Sequence, residues 1–201
     1  RCCRRQRQMC IRDRFIPAHP IAVTEKSGPS AGFAELFNDR WCIITPLKNN
    51  KKSHINKVKN LWKSLGSNVE IMSPQRHDRV MAITSHLPHL IAYNIVSTAA
   101  DLESVTKSDI IKYSASGFRD FTRIASSDPT MWRDIFLNNK EAVLEMISRF
   151  TEDLSALQKS IRWEDGKSLH KLFSKTRKVR DKIISAGQDT VDADFGRSKK
   201  R

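Results

Sequence analysis

Apolar and polar positions follow two regimes along this chain. Up to about residue 72 the apolar residues come in short runs closed by Pro or Gly, the mark of buried strands around one helix. Residues 15–20 (Phe-Ile-Pro-Ala-His-Pro) are such a run, and Pro20 leads into a polar loop. Residues 40–46 read as a second strand stopped by Pro46. Between residues 53 and 65, Ile55, Val58, Leu61, Trp62 and Leu65 share one helical stripe, and Gly66 closes it. Residues 69–72 make a last short strand.

Strand, strand, helix, strand is the order that the second half of an α/β nucleotide-binding domain presents. After it the pattern is entirely helical. Ser73 suits an N-cap and Pro74 the first helical position. Residues 80–102 are apolar nearly all round, which predicts a buried central helix, kinked by Pro88. Val143, Ile147, Phe150, Leu154, Leu157 and Ile161 form one stripe. Glu164-Asp165-Gly166 makes a turn, and Leu169, Leu172, Phe173, Thr176, Val179 and Ile183 form a second stripe. The two helices are expected to pair as an antiparallel hairpin. Beyond Gly187 the chain is polar, and disorder is expected there. No internal repeat is present.

Charge changes this picture less than its total suggests. The formal net charge is +14 over 201 residues, the size of a nucleic-acid signal. Residues 1–14 carry +5 of it and residues 197–201 carry +4, so residues 15–196 carry only +5. Residues 1–14 have neither hydrophobic period nor turn logic, and residues 9–14 look like a sequencing adaptor translated in frame. They are treated as an adaptor scar outside the fold, a natural basic arm being the alternative. Three of the four cysteines lie in that segment; Cys42 is the fourth. Neither a disulfide framework nor zinc-type spacing is expected. No apolar run approaches 18 residues, so the expectation is a soluble, cytoplasmic protein without membrane contact.

Several side chains could carry chemistry. His19 stands at a strand end, where α/β folds place their ligands, and histidine suits proton transfer at neutral pH. The alternative is a loop histidine bonded to backbone. Arg119 and Arg123 lie four apart on a helix that starts at Ser116 or Gly117, so an anion between them would relieve their repulsion. Alternatively Asp120 neutralises Arg123 on a solvated face. His77, His86 and His89 invite a metal reading. Nine residues of regular helix put His77 and His86 about half a turn apart, however, so no metal is expected. Trp132 is by type more often core than ligand.

Two segments stand out together. The first is Phe15-Ile16-Pro17-Ala18-His19-Pro20-Ile21-Ala22-Val23-Thr24-Glu25-Lys26-Ser27-Gly28. The second is Ser116-Gly117-Phe118-Arg119-Asp120-Phe121-Thr122-Arg123-Ile124-Ala125, followed by Asp128-Pro129-Thr130-Met131-Trp132. Between them lie His77-Asp78 and Ser85-His86-Leu87-Pro88-His89. In this order they resemble the prephenate/arogenate (cyclohexadienyl) dehydrogenase family, from about Phe15 to about Ile184. The resemblance implies that His19 is the catalytic histidine and that Arg123 binds a substrate carboxylate. It gives Arg119 and Gly117 supporting places in the same motif. It places Trp132 in the wall of the substrate pocket and His89 towards the substrate side chain. His77 and Asp78 would lie where two domains meet. Glu25 would bond to the opposite domain or a partner subunit, unless it is simply solvated. Where the family usually has Gly, this chain has Val23, and often also Ala18, which bears on the loop after the first strand.

The fold class expected is mostly α. Residues 15–73 would be the C-terminal remnant of a Rossmann-type nucleotide-binding domain, residues 74–187 an all-helical dimerisation and substrate domain, and residues 188–201 a basic tail. The implied function is the NAD(P)-dependent oxidative decarboxylation of prephenate or arogenate in tyrosine biosynthesis. The cofactor would be NAD or NADP and the assembly a homodimer, with no nucleic-acid partner. The chain holds no G-x-G-x-x-G, and the serine that partners the family's catalytic histidine is not in it either. It is therefore expected to be an N-terminally truncated piece, inactive by itself. Two alternatives remain. One is another β-hydroxyacid-type dehydrogenase; the other is a basic helical nucleic-acid-binding protein.

Overall fold

A computed structural model of the chain describes residues 14–22, 32–107, 109 and 111–185. Glu25, Val23, the basic segment before Arg14 and the tail beyond residue 185 lie outside the described residues. The chain divides into two compact units, Arg1–Ile147 and Ser148–Arg201.

The first unit opens with a three-stranded sheet. Strand β1 (Ala18–Pro20) pairs antiparallel with β2 (Trp41–Ile44), which pairs parallel with β3 (Asn68–Ile71). His19 lies opposite Ile43. Cys42 and Ile44 are wholly buried, as apolar residues of a central strand should be. Burial pushes the Cys42 thiol up to about 11, so it stays an uncharged filler. Ala18 is ordinary strand, so the backbone there needs no glycine.

Helix α1 (Lys52–Ser64) makes the crossover that a parallel pair requires. It ends as its sequence predicts. Gly66 takes φ +85°, its N–H donates to Lys63 O, and Ser67 N–H donates to Trp62 O. A Cβ at Gly66 would strike the Asn38 side chain, so sterics as well as φ demand glycine. Trp62 packs edge-to-face on Phe37, with ring centroids 5.2 Å apart.

Helix α2 (Pro74–Met81) starts where Ser73 and Pro74 place it, and Ser73 Oγ accepts from Arg76 N–H at 3.3 Å. A π segment (Ala82–His86) follows, and then α3 (Leu87–Thr106). Leu87 N–H donates to Ala82 O, five residues back. Pro88 explains the change of winding. It has no N–H, and its ring would collide with the Thr84 carbonyl of a regular helix. The widened turn just before it absorbs the conflict.

The expected burial of the central helix is not met within this chain. Leu87 and Ala92 are buried, but Ile95, Leu102 and Val105 are exposed, Val105 at 81%. The correction has a physical basis: apolar composition says that a face needs cover, not that the same chain covers it.

The rest of the unit is a short 3₁₀ turn (Ile111–Tyr113), α4 (Ser116–Thr122), a second 3₁₀ turn (Arg123–Ser126) and α5 (Pro129–Asn138). Asp128 caps α5, its carboxylate accepting from Met131 N–H at 2.8 Å. Helix α6 (Lys140–Arg162) begins in this unit, where Ala142 and Val143 pack on Ala82. Among the described residues, no helix is long and apolar enough to cross a membrane.

The second unit holds the rest of α6 and α7 (Gly166–Ser185). Glu164, with φ +53°, turns the chain between them, and Asp165 accepts from Ser168 N–H at 3.0 Å to start α7. Phe173 shares a groove with Leu154, Leu157 and Ile161, as a chain folding back on itself requires. Within this unit the stripes remain open. Leu154, Ile161, Phe173, Val179 and Ile183 are all exposed.

Candidate active site

Four histidines, an aspartate and a tryptophan meet in the first unit. Strand β1 delivers His19, whose Nδ1 lies 2.8 Å from Nε2 of His77, with ring centroids 5.1 Å apart. The Ser73 cap sets His77 in the first turn of α2, where its N–H donates to Ser73 O. Nδ1 of His77 lies 2.9 Å from an Asp78 carboxylate oxygen. The protein atoms around His19, and next the charge of His77, lower its pKa, although the residue keeps an open face.

The π segment revises the angle predicted between His77 and His86. Bonding five residues back winds each residue through less than the usual 100°. His86 thus does not stand diametrically opposite His77. It is close enough that charge on His19 or His77 would depress its own protonation. His86 is 8% exposed, and burial is the largest cause that pulls its pKa down to about 4. Its Nδ1 accepts from Asn139 Nδ2 at 3.1 Å. The second hydrogen of that amide goes to the Asp78 carbonyl, with Nδ2 at 2.9 Å. His86 is therefore neutral, with its proton on Nε2.

His89 lies one helical turn above Ser85, and its Nδ1 donates to the Ser85 carbonyl at 2.8 Å. Its Nε2 is left as an acceptor. Burial lowers its pKa, while the Ser85 bond raises it. The ring lies flat on Trp132, centroids 3.6 Å apart at 21°. Trp132 is 5% exposed and also touches His86 edge-on and Phe136. Its Nε1 is buried without a hydrogen-bond partner among the described residues. An orphaned donor beside a stacked imidazole is a place where an acceptor atom of a ligand would be welcome.

The arginines form a second group. Helix α4 begins at Ser116 and carries Arg119, while Thr122 (φ −82°, ψ −4°) ends the regular helix and Arg123 opens the 3₁₀ turn, so the regular i,i+4 spacing read from the sequence does not run through to Arg123. Both arginines are exposed. A Cβ on Gly117 would meet open space, so packing does not require glycine there. Both α4 and the 3₁₀ turn after it pack on α3, the helix that carries His89. Tyr93 of α3 donates to Ser127 O at 2.8 Å and pins the loop that leads to Trp132. Among the described residues, no three His, Cys, Asp or Glu side chains are grouped to hold a metal.

Asn139 is the member of the site that the sequence did not announce. It looks like a helix-boundary residue, and its carbonyl does accept from Val143 N–H. Nothing local reveals that its amide reaches back 61 residues to Asp78.

Known proteins resemble this chain over most of its length. A family profile described as "Prephenate dehydrogenase, dimerization domain" matches residues 73–175. One described as "Prephenate dehydrogenase, nucleotide-binding domain" matches residues 2–71. The cyclohexadienyl dehydrogenase of Zymomonas mobilis is 41% identical over 166 residues, covering 83% of this chain and 57% of that protein. The prephenate dehydrogenase of Bacillus subtilis is 35% identical over 170 residues, covering 85% and 46%. A crystal structure of A. aeolicus prephenate dehydrogenase with hydroxyphenyl propionate and NAD+ superposes with a TM-score of 0.81 at 42% identity, covering 85% of this chain and 59% of that one. The arogenate dehydrogenase of Synechocystis gives 0.72 at 25% identity, covering 84% and 61%. The chain spans about half the length of the curated relatives it matches.

Proposed function

The chain belongs to the prephenate dehydrogenase family, and from that membership we propose that it works within an enzyme that oxidatively decarboxylates prephenate or arogenate. One observation carries the reading. A histidine at a strand end, His19, is held by a hydrogen-bonded neighbour beside a stacked His89–Trp132 pair that keeps an unused N–H. A base, an aromatic wall and a buried, unpaired donor suit a cyclic substrate that bears a hydroxyl and carboxylates.

His19 takes the proton of the ring hydroxyl as hydride leaves the same carbon, and loss of the ring carboxylate as CO₂ completes an aromatic ring. A base with lowered pKa stays unprotonated at neutral pH, as this step needs. Arg123 holds a carboxylate of the substrate by a charge-assisted contact, and Arg119 adds to the local field. The open space at Gly117 lets a ligand approach the backbone there. Trp132 and His89 line the side-chain end of the pocket. His77 and Asp78 stand at the domain junction, and Glu25 is assigned to gating there.

The cofactor is of the nicotinamide dinucleotide class, NAD or NADP, and when bound it accepts the hydride. No described residue forms a glycine-rich phosphate turn, so no cofactor contact is assigned to this chain. The exposed faces of α3 and, in the other unit, of α6 and α7 support a homodimer. A cytoplasmic setting fits this class of enzyme.

The test is turnover by a complete enzyme carrying this sequence. Prephenate or arogenate with NAD+ or NADP+ should give reduced nicotinamide and CO₂ in equal amounts. His19→Asn should lower kcat by about 10²–10⁴ with little change in KM. A wild-type enzyme that turns over neither substrate, or a variant with unchanged kcat, would refute the reading.

A further inference from the structure

We propose that Asp78, His77 and His19 form a one-directional proton relay, in which Asp78 and His77 are positioning residues that decide which nitrogen of His19 is the base. This rests on the reading that His19 takes the hydroxyl proton, and it deepens that reading by naming the atom and what controls it.

The argument is one of donors and acceptors. An ionised carboxylate only accepts, so the 2.9 Å contact with Asp78 requires a proton on His77 Nδ1. A neutral imidazole has one N–H, so His77 Nε2 is then a lone pair. That lone pair lies 2.8 Å from Nδ1 of His19. Two lone pairs at this distance would repel, so His19 Nδ1 must carry the hydrogen. What remains on His19 is Nε2, unprotonated and available as the base. The donors run in a single sense, from His19 to His77 to Asp78.

The same geometry moves the charge created by the reaction. A proton from the substrate hydroxyl bonds to His19 Nε2 as the O–H bond breaks. The hydrogen on His19 Nδ1 can then cross to His77 Nε2. His19 is again neutral, now with its hydrogen on Nε2, and the positive charge sits on His77 beside the Asp78 carboxylate. One proton has entered and none has left. Reversing the transfer and releasing the Nε2 proton to water restores the start. The other titratable groups facing this cluster are His86 on the π segment and His89 on α3. Burial keeps both from charging easily, which leaves Asp78 to stabilise the relay. Asn139 holds the Asp78 backbone from the other side.

Substituting Asp78 by Asn lets the donors run in the opposite sense. An amide can donate to His77 Nδ1, which moves the His77 hydrogen to Nε2, makes His19 Nδ1 an acceptor and caps Nε2. Alanine only removes the partner. Long-range ¹H–¹⁵N correlation of the histidine-labelled 201-residue chain at neutral pH reads these tautomers without any need for turnover. Wild type should show His19 with hydrogen on Nδ1 and a bare Nε2, and Asp78→Asn should reverse it. His86 (hydrogen on Nε2) and His89 (hydrogen on Nδ1) should stay unchanged as controls of folding. In the complete enzyme, Asp78→Asn should lower kcat by about 10²-fold or more, and further than Asp78→Ala, with KM within a few-fold. His77→Gln, whose carbonyl can still accept from His19 Nδ1, should recover activity that His77→Leu loses. A wild-type His19 with its hydrogen on Nε2 would overturn the relay, and that measurement needs no variant to fold. So would equal kcat for the Gln and Leu variants. If the enzyme turns over neither substrate but the tautomers are as stated, the activity assignment fails and only the order of donors from His19 to Asp78 stands. Turnover with the opposite tautomer sinks the relay alone.

Discussion

Protonating His86 should destabilise this protein over a defined pH window. The imidazole is 8% exposed, accepts from Asn139 and has its pKa drawn from 6.5 to about 4, chiefly by burial and then by the other three histidines. The sign follows from linkage. In the unfolded chain the ring takes up a proton as pH falls through about 6.5, while the fold resists until about 4, so protonation favours the unfolded state. The stability due to a neutral His86 is fully present above 6.5, is lost progressively between 6.5 and 4, and changes no further below that. At about 1.4 kcal/mol per pKa unit, the whole loss is about 3 kcal/mol, of which about 2 kcal/mol is gone by pH 5.

The perturbation that isolates this effect is His86→Gln, which keeps an acceptor for Asn139 but does not titrate. At pH 7 the variant should be less stable by about 1–2 kcal/mol, because it loses the ring contact with Trp132. As pH falls, wild type should weaken faster, and near pH 4 the variant should be the more stable by about 1–2 kcal/mol. Urea unfolding of the 201-residue chain, followed by far-UV circular dichroism at several pH values, measures both curves. Carboxylates and the other histidines titrate in both proteins and largely cancel in the difference. Curves that run parallel from pH 7 to pH 4 would refute the reasoning, since they would mean that His86 pays no penalty for charge in the fold.

Three further outcomes are expected. In the complete enzyme, Arg123→Ala should raise KM by about 30- to 1,000-fold and lower kcat far less, because a substrate carboxylate is present in ground and transition state alike; Lys should recover part of it, and an unchanged KM would move the anion site elsewhere. Trp132→Phe keeps the stack on His89 but removes the orphaned N–H. It should raise KM by about 5- to 50-fold, the worth of one hydrogen bond, beside a stability loss of about 1–2 kcal/mol for the smaller ring, and an unchanged KM would make Trp132 a core residue only. The 201-residue chain should sediment as a dimer at tens of micromolar, given the exposed apolar faces within each unit; a clean monomer would contradict that.

Much of the fold is legible because its signals are local. The Ser73-Pro74 start needs one side chain and one missing N–H, both visible in two adjacent letters. Gly66 is legible for the same reason, since a left-handed cap strongly favours glycine. The strands at Trp41–Ile44 and Asn68–Ile71 are short apolar runs whose length rules out a helix. The burial of residues 80–102 is misread because it depends on what else is present. An all-round apolar helix has the same letters whether its own chain or another covers it.

The site divides along the same line. His19, His89 and Trp132 can be singled out one at a time, from a strand end and from short motifs. Their grouping cannot, because it depends on contacts that span 58 residues from His19 to His77 and 53 from His86 to Asn139. Reading His77 and His86 as half a turn apart assumes an uninterrupted α-helix, and Pro88 is the one letter that contradicts the assumption. A proline can kink a helix, end it or force a π turn upstream, and each choice sends the preceding histidine in a different direction. Here the chain takes the π turn, which allows one amide, Asn139, to grip both Asp78 and His86. In the proposed relay the tautomers of the cluster follow from that grip and from the Asp78 carboxylate beside His77. The residues proposed to set the tautomer of His19 are therefore those whose importance only the folded geometry reveals.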